Sequence, residues 1–124
     1  MKKEKFDYII CGGGASGLLL LQALTQDTFF SDKKILIIEK ELKNGNDRTW
    51  SFWEQSAGSF DDLIIKKWNY ASFIGPDFKK DFSLTPYHYK MLRSASFYKK
   101  YSPEKTKSKN KIILKATVHK IKTE

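Results

Sequence analysis

An α/β fold, doubly wound around a parallel sheet, is predicted for this 124-residue chain by three observations close to its N-terminus. An apolar run, Phe6–Cys11, leads into glycines at positions 12, 14 and 17. A second apolar stretch, Ala15–Thr25, follows at helical length. A third run, Ile35–Ile38, ends in the acidic Glu39. Strand, glycine turn, helix, strand and acid in that order make a βαβ unit.

Each part has a physical reason. Phe6–Cys11, apolar but for Asp7, reads as a parallel strand buried on both faces. Gly12 permits a tight turn, Gly14 lets backbone approach a pyrophosphate, and Gly17 lets the helix pack closely on the strand. Together with Ala15 and Ser16, these residues leave phosphates among the free N–H groups of the helix N-terminus. Glu39 lies 22 residues after Gly17, where an acid accepts ribose hydroxyls and repels a 2′-phosphate. The same pattern also suits a βαβ turn that binds nothing.

The segment NGNDRTWSFWE, Asn44–Glu54, follows the second strand. Asn44, Gly45 and Asn46 read as a turn. Arg48 is one of only two arginines, and Trp50, Phe52 and Trp53 offer large rings for the wall of an apolar pocket. The alternative is that the rings fill the core and that Arg48 pairs with Asp47 or Glu54. Farther on, Asp61–Trp68 is a short mixed segment. Trp68–Ile74 and Phe78–Leu84 read as strands of a hairpin turning through Gly75, Pro76 and Asp77, with most of their rings packing the hairpin on a helix. Tyr87–Leu92 reads as a third strand and Arg93–Tyr101 as a short helix. Ser102–Asn110 is a lysine-rich loop, Ile112–Leu114 is apolar, and Val118–Ile121 is expected to return to the parallel sheet beside the first strand.

Composition excludes several classes. With 40% apolar and 15% aromatic residues, the chain can build a core. Its longest apolar segment, at Leu18–Leu24, is too short to span a bilayer. Cys11 has no second cysteine to pair with, which makes a reducing, cytoplasmic setting the default expectation. Residues 1–62 carry 8 Lys+Arg against 10 Asp+Glu, and residues 63–124 carry 15 against 4. Lysine accounts for 21 of the 23 basic residues; lacking the planar fork of arginine, it argues against nucleic-acid reading. A solvated lysine-rich surface explains the bias, as does attraction to an anionic membrane at the inner face of the cell. His88 and His119 read as surface or strand histidines, and the absence of HExxH, CxxC and GxSxG leaves metal, dithiol and serine-hydrolase chemistry without support.

DYIICGGGASGLLL, ILIIEK, NDRTWSFWE and YHYKMLRSASFY together resemble the N-terminal part of the flavin-dependent lycopene cyclases of bacteria. The first motif is shared by very many flavoproteins; NDRTW with its aromatic continuation points to the cyclases. Ser51 stands where that family often carries cysteine. The resemblance implies a Rossmann-like FAD-binding domain of the glutathione-reductase type across residues 1–124, with a substrate-facing β-insertion beginning at about 60–92. It implies cofactor contacts at Gly12, Gly14, Ala15, Ser16, Gly17, Glu39, Lys40, Arg48 and Val118, and substrate contacts at Trp50, Phe52 and Trp53. It implies formation of β-rings on lycopene, without net redox change but with reduced FAD and with NADPH as electron source. The acid that protonates the polyene is expected farther along a longer chain, so that no catalytic residue lies here and this N-terminal part alone is expected to be inactive and a poor folding unit. An FAD-dependent monooxygenase or other oxidoreductase uses the same turn, and a non-catalytic NAD-responsive or membrane-surface module is a third reading.

Overall fold

The computed structural model describes residues 3–41, 45–105 and 108–123. They form two compact units, residues 1–44 with 100–124 and residues 45–99.

The first unit is a parallel three-stranded sheet. Strand β1 (Tyr8–Cys11), helix α1 (Ala15–Gln26) and strand β2 (Ile35–Glu39) make the expected βαβ unit. Eight strands occur among the described residues, and the last, β8 (Lys111–Lys115), pairs with the far side of β2, giving the order β1-β2-β8. Ile35 and Ile37 are fully buried and Leu36 nearly so, because β2 has a strand on each side; Leu18 and Leu21 of α1 and Ile10 of β1 complete this core. Asp7 joins the starts of β1 and β2, its carboxylate accepting the Lys34 N–H at 2.7 Å. Past α1, the Asp27 side chain accepts the Phe29 N–H at 2.9 Å and opens a 3-10 turn, Thr28–Phe30.

Two expectations are corrected here. β1 is not buried on both faces: it is an edge strand among the described residues, with Ile9 54% exposed and Cys11 exposed. The strand that returns to the parallel sheet is β8, not Val118–Ile121, and it lies beside β2 rather than β1. Residues 116–123 have no regular structure. Lys111–Lys115 wins because its apolar centre, Ile112 to Leu114, meets Leu36 to Ile38 in register, whereas Val118 and Ile121 are separated by the polar His119 and Lys120 and are exposed.

The second unit is antiparallel. β3 (Thr49–Glu54), β4 (Ile64–Trp68) and β7 (His88–Arg93) form a sheet in the order β3-β7-β4, and β5 (Tyr70–Gly75) with β6 (Phe78–Ser83) form a hairpin. The hairpin closes through Pro76 and Asp77 with Gly75 opposite Phe78, close to expectation. The expected continuous strand Trp68–Ile74 instead breaks at Asn69, and Tyr87–Leu92 is realised one residue later as the central strand β7. Asp61–Trp68 divides into a 3-10 turn, Asp61–Leu63, and β4. Helix α2 (Ser94–Lys100) follows β7 directly, burying Ser94, Phe97 and Tyr98. The expected turn at Asn44 falls partly outside the described residues, as does part of the Ser102–Asn110 loop.

Candidate functional site

The first constellation sits at the C-terminal ends of the three parallel strands. β1 ends at Cys11, β2 at Glu39 and β8 at Lys115, and these ends are adjacent through the register of β2 with both neighbours. The Gly12 N–H donates to the Ile38 carbonyl at 2.8 Å, and the Ala116 N–H donates to the Glu39 carbonyl at 3.0 Å. Gly12 has φ +111°, where an L side chain is strained. A side chain at Gly17 would drive into the Gly12 carbonyl, its Cβ lying 3.1 Å from the carbonyl carbon and 3.4 Å from Ile10 Cγ2. A Cβ at Gly14 would meet nothing within 4 Å. The turn is therefore open toward Gly14 and closed toward Gly17, as the approach of a pyrophosphate requires.

Glu39 closes the other side. Its Oε2 accepts the Gly13 N–H and its Oε1 accepts the Glu41 N–H at 3.2 Å. The carboxylate is thus held against the glycine turn by two backbone donors. Helix α1 begins at Ala15 with Gly14 as its N-cap, and no side chain caps it; the N–H groups of its first turn have no carbonyl within the helix to bond. Ser16 and Lys40 are exposed, and Val118 lies in the exposed segment after β8. The chemistry of this donor set fits a dinucleotide: backbone N–H groups for phosphate, a fixed carboxylate for ribose hydroxyls.

The second constellation belongs to the antiparallel unit and joins the two segments that sequence reading singled out separately. β3 pairs with β7 in an unbroken register from Thr49 opposite Arg93 to Glu54 opposite His88, so NDRTWSFWE and YHYKMLRSASFY are neighbouring strands. Ser94 locks their shared end: its N–H donates to the Arg48 carbonyl at 2.9 Å, its Oγ accepts the Arg48 N–H at 2.9 Å, and its Oγ–H donates to Asp47 Oδ1 at 2.9 Å. Arg48 is therefore placed through its backbone. Glu54, one of the two partners that the alternative reading offered Arg48, accepts from Lys90.

Alternation along β3 separates the three rings expected to form one wall. Trp50 and Phe52 face inward, Trp50 against Phe97 and Tyr98 at 5.1 and 5.8 Å and Phe52 against Phe60 at 5.8 Å. They fill the core beneath α2. Trp53 points to the opposite face and stacks on Tyr89 at 4.8 Å. A single Trp50–Phe52–Trp53 wall does not exist, because adjacent residues of a strand cannot share a face.

Lys90 was invisible to sequence reading. It lies at the centre of β7, 2% exposed, and its ammonium donates to Asp61 Oδ1 at 2.6 Å, Glu54 Oε2 at 2.7 Å and the Ser56 carbonyl at 2.8 Å. The hydrogen bonds to Asp61 and then Glu54 hold Lys90 above its ordinary value, and the same bond from Lys90 holds Asp61 below the usual carboxylate range. All three ammonium protons are engaged, so Lys90 anchors the 55–63 segment and has no proton free for a ligand. A cavity of about 400 Å³ opens beside it toward Lys67 and His88; His88 Nδ1 lies 2.6 Å from Asn69 Oδ1. The sequence carries no signal for it: in HYKMLR, Lys90 alternates with the apolar Tyr89 and Met91, a pattern that ordinarily puts a lysine in solvent.

The family model described as Lycopene cyclase protein matches residues 7–124. The chain belongs to the lycopene cyclase family. No curated protein and no solved structure matches it. The family match takes in both constellations, the glycine turn with Glu39 and the paired β3 and β7, and a lycopene cyclase family domain brings a carotenoid substrate with it. Among the described residues, no group of three or more His, Cys, Asp or Glu side chains is arranged to hold a metal ion, and no helix is long and apolar enough to cross a membrane.

Proposed function

We propose that this chain supplies the cofactor turn and part of the substrate-side sheet of a lycopene cyclase that closes the ends of lycopene into β-rings. The fold of the first unit is read as the opening of a doubly wound, Rossmann-like FAD-binding domain of the glutathione-reductase type. The observation that carries the reading is the family match over residues 7–124 on a chain whose parallel strand ends gather Gly12, Gly14, Gly17 and Glu39. The strand order, with β8 beyond β2 and β2 beyond β1, supports it, because it is the 3-2-1 half of a doubly wound sheet.

In this reading the chain binds and orients FAD. The turn from Gly12 to Gly17 and the first N–H groups of α1 receive the pyrophosphate, and Glu39 exchanges its bond to the Gly13 N–H for ribose hydroxyls. Lys40, Arg48 and Val118 are proposed further contacts. When bound and reduced, with NADPH as the electron source, the flavin supplies electron density that stabilises cationic charge in a reaction with no net redox change. Lysines of residues 63–124 assist docking of the protein on an anionic membrane that holds the substrate, by about 1 kcal/mol each near the surface.

The test is product analysis with the full-length, flavin-loaded protein and lycopene in liposomes, with and without reduction of the flavin. Ring-bearing product only under reducing conditions supports the proposal. Hydroxylated product with oxygen uptake transfers the assignment to a monooxygenase, and no flavin spectrum after reconstitution removes the cofactor.

A further inference from the structure

The antiparallel sheet β3-β7-β4 has two faces of different fate. One is closed by the protein's own elements: Trp50, Phe52, Lys90 and Leu92 lie under α2 and the 55–63 segment. The other is open. Register places Trp53 and Trp68 on either side of Tyr89 on that open face, and the three rings stand in a row, Trp53 to Tyr89 at 4.8 Å and Tyr89 to Trp68 at 5.7 Å. Trp53 is 57% exposed even so. Beside the row lies Met91, flanked in register by Ser51 and Lys66, and Arg93 opposite Thr49 follows.

We propose that this row, Trp53, Tyr89 and Trp68, is the platform on which the uncharged polyene arm of the substrate lies. The proposal rests on the carotenoid reading above and deepens it by naming the surface. Lycopene carries no polar atom, so only apolar area and ring faces can hold it, and a row of tilted rings matches a long flat conjugated chain. The charges decide which part of the substrate lies here. Ring faces attract a cation, but Lys66 and Arg93 share this face and repel one. The platform therefore takes the neutral polyene, and the end group that becomes cationic is held elsewhere. The same two charges argue against a second copy of the chain, since face-to-face packing would bring like charges together.

The rings of Trp50 and Phe52 are excluded from this role by their side of the strand. Ser51 joins the platform instead: it is exposed, small, and placed between Trp53 and Thr49 on the open face.

The experiment uses the full-length, flavin-loaded protein and lycopene in phosphatidylcholine liposomes. Binding is read from the circular dichroism induced in the polyene while the flavin stays oxidised, and turnover is read after reduction. Trp53→Ala is expected to weaken binding and raise apparent KM by about tenfold, equivalent to about 1.4 kcal/mol, with kcat at saturation within about twofold and Tm unchanged; Trp53→Phe should recover most of the loss. Ser51→Glu provides an independent variant at an exposed position and should weaken binding at least as much. Unchanged binding in Trp53→Ala and Ser51→Glu, with the wild type binding and converting lycopene, overturns the platform and leaves the proposed function standing. Wild-type protein that holds flavin but neither binds nor converts a carotenoid overturns both. Equal loss of sedimentation with lycopene-free liposomes in Trp53→Ala assigns the face to the membrane, and a halved mass assigns it to self-association; either result overturns the proposal.

Discussion

Three glycines of one turn should fail in three different ways when each is replaced by alanine. At Gly14 a Cβ meets nothing within 4 Å and the backbone is extended, φ −72° and ψ −175°. Alanine fits there, and reduced freedom of the unfolded chain makes it neutral to slightly stabilising, by about 0.4–1 kcal/mol. Its effect should fall on the cofactor, whose pyrophosphate needs the space. At Gly17 the new Cβ would sit inside the 3.0 Å that real Cβ atoms keep from other atoms, against a backbone carbonyl that cannot swing aside. Helix α1 must then lift from β1, an overpacking cost of about 1–3 kcal/mol. At Gly12 no atom obstructs, but φ +111° is closed to L side chains, at about 1–3 kcal/mol of strain. The assay pairs thermal unfolding of the apoprotein with flavin retention on desalting. Gly14→Ala should keep its Tm and lose flavin; Gly17→Ala and Gly12→Ala should lose Tm before any cofactor is added. Flavin retention by Gly14→Ala, or an unchanged apoprotein Tm in Gly17→Ala, would refute the assignment of the turn.

Glu39→Gln keeps shape but weakens acceptance from ribose, and titration with FAD should show a loss of about 1.5–3 kcal/mol, the worth of a hydrogen bond to a charged group, with little change in Tm. Ser94→Ala removes the acceptor of the Arg48 N–H and one hydrogen bond to Asp47 at a fully buried position and should lower stability by about 1–3 kcal/mol in urea unfolding. Acid should loosen the 55–63 segment. Asp61 is depressed in the folded state, so its stabilisation is complete above the unfolded value of about 3.9 and is lost as pH falls through the lower folded value. Lys90 is raised, so its share is complete below about 10.4 and is lost as pH rises through the higher folded value. Limited proteolysis of residues 55–63 should therefore be flat across neutral pH and rise at both extremes, and Asp61→Asn should remove the acid limb and bring the alkaline limb to lower pH.

The parts of the fold legible in the sequence are those set by local pattern. Gly12, Gly14 and Gly17 between two apolar runs announce a βαβ unit because each glycine answers a local steric demand, and Pro76 with Asp77 announces a hairpin for the same reason. What the sequence hid is non-local. Ile9 and Ile37 read alike in composition, yet Ile37 is buried and Ile9 is exposed, because only the strand order decides which run is central. TWSFWE reads as an aromatic cluster until its period of two is recognised as a strand; that period alone sends Trp53 away from Trp50 and Phe52. Lys90 is illegible in principle, since the residues that make its burial tolerable, Glu54 and Asp61, lie 36 and 29 positions away.

The pairing of β3 with β7 explains why the two segments most suggestive of the cyclases belong together. Asp47 and Arg48 meet Ser94 at one end of the register, and Glu54 meets Lys90 near the other. Between these two clamps the strands cannot slip by one residue without exchanging their faces. Such a slip of β3 against β7 would bury Trp53 and expose Trp50 and Phe52. The polar residues Asp47, Ser94, Glu54, Lys90 and Asp61 thus act on the apolar ones by fixing register. Whatever the open face binds, its row of rings depends on charges and hydroxyls at the ends of the strands and on the closed side of the sheet.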